Sequence, residues 1–170
     1  MKTAKRLLAL ALAGVMALAL LTGCSDSRSK AKQVEECFRS LMKTRQNVDY
    51  QKDETLDKKL EAIAQQFQPD WLDNRTGGLT EHARTIIINE LRGYLLTGSV
   101  WLWYGEVKPG QSALAQAESM KYSQGIEIAL LDSGIPTLQA IAFTMTGKKS
   151  DGHRYYLALE TYATIKTPQG

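Results

Sequence analysis

Between residues 31 and 47, apolar side chains recur at Val34, Cys37, Phe38, Leu41 and Met42, while Lys32, Glu35, Glu36, Arg39 and Lys43 cover the other side. That i, i+3, i+4, i+7, i+8 spacing predicts a helix with one buried stripe. A second helix is expected from about Thr55 to Gln68, with Leu56, Leu60, Ile63, Ala64 and Phe67 as its stripe. Asp53 or Thr55 is positioned to cap its free N–H groups, and Pro69 ends it. The stretch from Asp70 to Gly78 reads as a loop with a packed Trp71 near its start. From Thr80 to about Leu96, Ala83, Ile87, Leu91, Tyr94 and Leu95 share a helical face, and Gly98 marks the exit. The β-branched core of that segment, Thr85 to Ile88, also suits a strand. Helix is the reading favoured by its length and by continuation of the pattern through Glu90, Leu91 and Arg92.

After Ser99 the hydrophobic period shifts to two. Val100-Trp101-Leu102-Trp103-Tyr104 reads as a strand, and Pro109-Gly110 breaks it. Residues 111–120 suit a short helix or an ordered excursion. Three more strands are expected: Tyr122 to Leu131, with Tyr122, Gln124, Ile126, Ile128 and Leu130 on one face; Thr137 to Thr146; and His153 to Lys166. Turns at Asp132–Pro136 and Gly147–Gly152 separate them. Short connections imply an antiparallel meander. Helices followed by strands predict an α+β domain, with three N-terminal helices on one face of a four-stranded, antiparallel, curved sheet. This order and size resemble the NTF2-like fold, a curved sheet around a helical layer that often encloses a conical pocket. The resemblance implies a short strand among the helices, for which Thr85 to Ile88 is the candidate.

The N-terminus has a different pattern. Lys2, Lys5 and Arg6 precede an apolar run from Leu7 to Leu21, interrupted only by Gly14 and closed by Leu21-Thr22-Gly23-Cys24. A basic start, a short apolar stretch and small residues describe a secretory signal, and the run is short for a membrane span of about 20 residues. Leu21-Thr22-Gly23-Cys24 resembles the lipobox of bacterial lipoproteins. That resemblance implies a diacylglycerol on the Cys24 thiol, cleavage just before Cys24, and a chain held on the extracytoplasmic face of a membrane. The expected organisation is therefore a signal peptide over 1–23, a lipidated tether over 24–32 and one α+β domain over 33–170. The tether is expected because Ser25 to Lys32 is rich in Ser, Lys, Arg and Asp.

The formal charge of +3 equals the contribution of Lys2, Lys5 and Arg6. The remainder is neutral and carries no basic stripe, so no nucleic-acid partner is expected. Only Cys24 and Cys37 are present, and lipidation of the first leaves no disulfide framework. Cys37 falls in a helical stripe and reads first as a small buried hydrophobe.

Metal-ligand spacing, nucleophile-elbow and phosphate-loop motifs are lacking, so neither a metal nor another cofactor is expected and no catalytic residue is assigned. His82 and His153 read first as surface residues, with a pocket role as the alternative. Glu90, Glu106, Glu127 and Glu160 are the carboxylates from which an acid/base pair could be assembled. Aromatic residues concentrate in the sheet half: Trp101, Trp103, Tyr104, Tyr122, Tyr155, Tyr156 and Tyr162. Strand alternation puts Trp101 and Trp103 on one face and Tyr104 on the other. These three are the candidate partner surface, because Trp and Tyr combine apolar area with a polar handle. The leading expectation is a non-catalytic, membrane-tethered domain that binds a partner protein or envelope component. A small-molecule module, with Gln124 or Thr144 lining a pocket between sheet and helices, is the second, and an enzyme of unknown type the third.

Overall fold

The computed structural model describes residues 27–72, 78–123, 125–128 and 138–165. The signal segment, Cys24, Gln124 and the turn at Asp132–Pro136 lie outside them.

Helix α1 (Ser27–Gln46) takes up the first stripe, with Val34, Phe38 and Met42 buried. It begins within the stretch read as a tether, about one turn before residue 31, where the helical segment is expected to start. Asn47 (φ 54°) turns the chain out of the helix; asparagine tolerates this left-handed conformation better than most residues. Helix α2 (Glu54–Gln66) is capped as expected, Leu56 N–H donating to Asp53 Oδ1 at 2.7 Å. A 3₁₀ turn (Pro69–Trp71) follows and buries Trp71.

Helix α3 (Glu81–Leu91) is capped by Thr80 and buries Ala83, Ile87 and Leu91. Thr85 to Ile88 is helical and supplies no strand. The helix is shorter than its periodicity suggests. Gly93 adopts φ 83° and reverses the chain, so Leu95 opens a strand instead of closing the helical stripe.

Strand β1 (Leu95–Glu106) is followed by helix α4 (Ala113–Glu118), β2 (Lys121–Tyr122), β3 (Ile126–Ile128), β4 (Leu138–Met145) and β5 (Tyr155–Ile165). All sheet pairings are antiparallel, in the order β2-β1-β5-β4, with β3 also on β1. The arrangement is α+β. It departs from a simple meander because β5 inserts between β1 and β4. The reason lies in its sequence: Tyr156 through Thr161 are all buried, and a strand apolar on both faces belongs in the middle of a sheet.

Burial on both faces also means helices on both faces, rather than on one. On one face α2 and α3 close over Val100, Leu102, Ile126, Ala140, Ala142, Leu157 and Leu159. On the other, α1 and α4 pack together over Trp103, Ile141, Tyr156 and Ala158.

In the described part of the expected strand Tyr122–Leu131, which leaves out Gln124 and residues 129–131, the register shifts. Trp103 pairs with Tyr122 and Val100 with Ile126, so residues 123–125 oppose only two residues of β1. This is a one-residue β-bulge. Ser123 substitutes for the regular ladder there: its N–H donates to Leu102 O at 2.8 Å and its Oγ accepts from Leu102 N–H at 3.3 Å. The extra residue flips the faces. Tyr122 lies beside Trp103 on the α1 face of the sheet, whereas Ile126 enters the core beneath α2 and α3.

Candidate functional site

The α1 face of the sheet is only partly covered. Beyond the end of α1 a cleft of about 500 Å³ opens. Its floor is one face of the sheet: Trp101 and Trp103 from β1, Tyr122 from β2, Glu160 and Tyr162 from β5, and Gln139 from β4. Cross-strand pairing sets the spacing, with Trp101 opposite Glu160, Trp103 opposite Tyr122, and Tyr162 opposite Gln139. Arg45, Gln46, Val48 and Tyr50 form the wall.

The wall is fixed by backbone hydrogen bonds. Gln51 N–H donates to Gln139 O at 2.9 Å, and Ile141 N–H donates to Gln51 O at 3.4 Å. The segment after α1 thus adds a parallel bridge to the β4 edge, which satisfies that edge locally and holds Tyr50 over the sheet.

Glu160 lies at the centre of the floor and is 7 % exposed. Tyr50 Oη–H donates to its Oε1 at 2.6 Å, and Trp103 Nε1–H donates to its Oε2 at 2.8 Å. Both donors are neutral. Glu160 makes no ion pair among the described residues, whose ion pairs are Arg39–Glu35, Lys43–Asp49, Lys52–Glu35 and His153–Glu106. Burial, reinforced by the hydrogen bond to Glu160, raises the Tyr50 phenol well above its ordinary range, so it stays a donor at physiological pH.

The aromatic rings form a graded wall. Trp103 packs edge-on against core residue Phe38, ring centroids 5.4 Å apart, and meets Tyr122 on the cleft side at 4.9 Å with a 44° tilt. Trp103 is 7 % exposed, whereas Tyr122 and Tyr162 are 61 % and 49 % exposed. The rings therefore run from buried at the base to open at the rim. Gly125 crowds the Trp101 indole: a Cβ there would lie 3.0 Å from Nε1.

Of the expected surface, Trp101 and Trp103 come together, inside a cleft rather than on an outward patch. Tyr104 is on the opposite face, lining a smaller hollow of about 220 Å³ with Leu72, Glu106 and Tyr155. Of the four carboxylates Glu160 lines the cleft, and the Glu127 side chain lies outside the described residues. Glu90 accepts a hydrogen bond from Gln66 at 2.8 Å in an exposed position. Glu106 pairs with His153 Nδ1 at 2.8 Å, also exposed, and His82 is exposed at the start of α3. Thr144 faces away from this cleft into two shallower depressions.

Cys37 is partly buried in the α1 stripe, and burial, with Glu36 nearby, raises its thiol pKa. It is thus held as a thiol, away from the thiolate that a nucleophile requires.

Tyr50 is the site residue that the sequence pattern misses. It stands in a polar connection with no periodicity, and its role comes from the bridge to β4. Glu160 carried a usable signal: a lone charge inside the apolar run Tyr156–Thr161.

Among the described residues, no group of three or more His, Cys, Asp or Glu converges as a metal-ligand set, and no helix is long and apolar enough to cross a membrane. A scan against protein-family models, a search of curated proteins and a search of solved structures return no match to this chain.

Proposed function

We propose that this protein is a lipid-anchored extracytoplasmic binding domain, non-catalytic, whose α1-face cleft receives a small-molecule-sized ligand. The observation that carries the reading is the convergence of Tyr50, Trp101, Trp103, Tyr122 and Tyr162 around the buried Glu160 carboxylate. Ligand sites have this character: a concavity of about 300–1,000 Å³, mostly apolar, with a few placed polar groups. The cleft falls inside that range at about 500 Å³.

A flat partner-protein surface is less well supported. Such surfaces present their anchoring aromatics outward, and Trp103 is only 7 % exposed. An acid/base pair would bring a second titratable group beside the first. Among the described residues, the groups touching Glu160 are an indole, which does not titrate, and a phenol held protonated.

The anchor rests on Leu21-Thr22-Gly23-Cys24 after the basic and apolar segments. Each acyl methylene contributes about 0.8 kcal/mol of membrane affinity, so a diacylglycerol on Cys24 would hold the domain firmly at the bilayer.

Native mass spectrometry of the full chain, released from a maltoside micelle, tests both parts. A retained small-molecule mass that is lost in Trp101→Ala supports the cleft. A mass matching acylated Cys24, absent in Cys24→Ala, supports the anchor. A chain of bare polypeptide mass at its full length would sink the anchor reading.

A further inference from the structure

The geometry points to the class of ligand: an organic cation bearing an alkylated ammonium group. This inference rests on the cleft being a ligand site. Its ground is a mismatch at Glu160. The carboxylate is almost fully buried, yet its partners are a phenol and an indole, neither of which carries a charge. Burying a carboxylate without a counter-charge is costly unless something else supplies one. The two neutral donors satisfy hydrogen bonding at one site on each oxygen. Among the described residues no positive charge pairs with the group, and a quaternary or tertiary ammonium supplies charge without needing several acceptors.

The surroundings fit the same chemistry. Trp101, Trp103, Tyr122 and Tyr162 line the same cavity, and the Trp103 and Tyr122 rings meet at a 44° tilt, forming a corner. Ring faces attract a cation within about 6 Å of their centroids, most strongly when it is desolvated. An alkylated ammonium surrounds its charge with apolar methyl groups, so it can enter such a corner without giving up strong hydration. A metal ion fits poorly, because hard cations require about six oxygen ligands and, among the described residues, Glu160 is the sole carboxylate of the lining. Arg45 also lines the cleft, but it is exposed. Its charge is screened by water, whereas that of Glu160 acts through the protein interior.

The test uses the full-length chain in a maltoside micelle, which contains no ammonium group, with tryptophan fluorescence as the readout. Choline is titrated beside 3,3-dimethylbutan-1-ol, its neutral isostere with carbon in place of nitrogen, and beside phosphocholine as the headgroup form. Choline is expected to saturate the signal at a concentration about tenfold or more below the isostere, since each ring contact of this kind contributes a few-fold or more. Glu160→Gln should abolish that preference. Tyr122→Ala, an exposed position that leaves folding intact, should weaken choline more than the isostere. Tighter binding of phosphocholine than choline assigns the source to a headgroup, and the reverse order to a free cation. If the isostere binds as well as choline, the cation inference is overturned while the ligand site stands. If none of the three saturates, the inference is overturned, and a retained mass from the native measurement then decides separately whether the cleft is a ligand site.

Discussion

The two faces of the sheet are built from the same strands and differ in one respect, how completely helices cover them. Under α2 and α3 the strands contribute mostly small and branched aliphatics, and the layer closes around Leu102, Leu157 and Leu159, each fully buried, with Tyr104 and Tyr155 at its margin. Under α1 and α4 they contribute large aromatics, and closure is incomplete. The helices there stop short of Trp101, Glu160 and Tyr162, and the segment after Gln46 bridges to the β4 edge and sets the single ring of Tyr50 over the sheet in place of a helix. The closed face stabilises the fold. The open face keeps a polar centre accessible at a cost that the closed face offsets. Substitutions on the two faces should therefore separate stability from binding.

The largest effect is expected on the closed face. Leu159 is fully buried and pairs across the sheet with Leu102 and Ala142. Leu159→Ala removes its contacts and leaves a cavity, and should cost about 3 kcal/mol, within the 2–5 kcal/mol typical of such truncations. Urea unfolding would show this as a lower midpoint at unchanged slope. A loss under about 1 kcal/mol would mean that this face is not the closed core described.

Tyr50→Phe probes the boundary between the faces. It removes the 2.6 Å bond to Glu160 while keeping the ring. Hydrogen bonds to charged groups contribute about 1.5–3 kcal/mol when buried, and partial solvent access here reduces the expected loss to about 1 kcal/mol at neutral pH. The pH dependence has a defined sign. The folded phenol is raised above 10.0, its value in the unfolded chain. The folded state therefore binds the proton more tightly, and this share of stability is complete below pH 10 and is lost as pH rises above it. Wild type should lose stability on the alkaline limb faster than Tyr50→Phe. Tyr94, Tyr104, Tyr155 and Tyr156 are also raised but are common to both chains, so the difference isolates Tyr50. Parallel alkaline limbs would show that Tyr50 does not share its proton with Glu160.

Why one face is legible in sequence and the other is not follows from these residues. The stripes of α1 and α2, the Asp53 cap and the alternation through Val100–Tyr104 are local patterns, and each appears where the sequence places it. The α+β class follows from them. Three features depend on pairing rather than period and escape such a reading. Gly93 ends α3 before its apolar stripe does, because a left-handed glycine overrides the pattern. The bulge at 123–125 sends Tyr122 and Ile126 to opposite faces, although a period of two assigns them to one. Central placement of β5 commits both of its faces to packing, which turns one helical layer into two. The cleft depends on the second and third of these. The sequence therefore identifies Trp101, Trp103 and Glu160 as residues worth attention, and leaves their convergence to the structure.

Gly125→Ala is a smaller perturbation of the open face. Its Cβ would stand 3.0 Å from the Trp101 Nε1, so the indole must shift by a few tenths of an ångström. The neighbour is a side chain at the cleft, with room to move, so the cost should be about 1 kcal/mol or less. The expected signature is a change in tryptophan emission together with weaker ligand binding. An unchanged spectrum would mean that the indole does not rest against the bulge.

The smallest stability effect should come from Tyr122→Ala, and it sharpens the contrast most. Tyr122 is 61 % exposed on the short edge strand β2, and its main contact is the ring of Trp103. Aromatic pairs contribute about 0.5–1.5 kcal/mol beyond area burial, with exposed edge positions at the low end, so the variant should fall within about 0.5 kcal/mol of wild type. Truncation nonetheless removes one wall of the aromatic corner over Glu160. A ring in place for binding should therefore report in ligand titration and hardly at all in urea unfolding. A ring that only shields the sheet edge would reverse that, lowering the unfolding midpoint while leaving affinity unchanged. Set beside Leu159→Ala, which should lower stability without altering the cleft directly, the pair would show whether the two faces of one sheet have divided folding and binding between them.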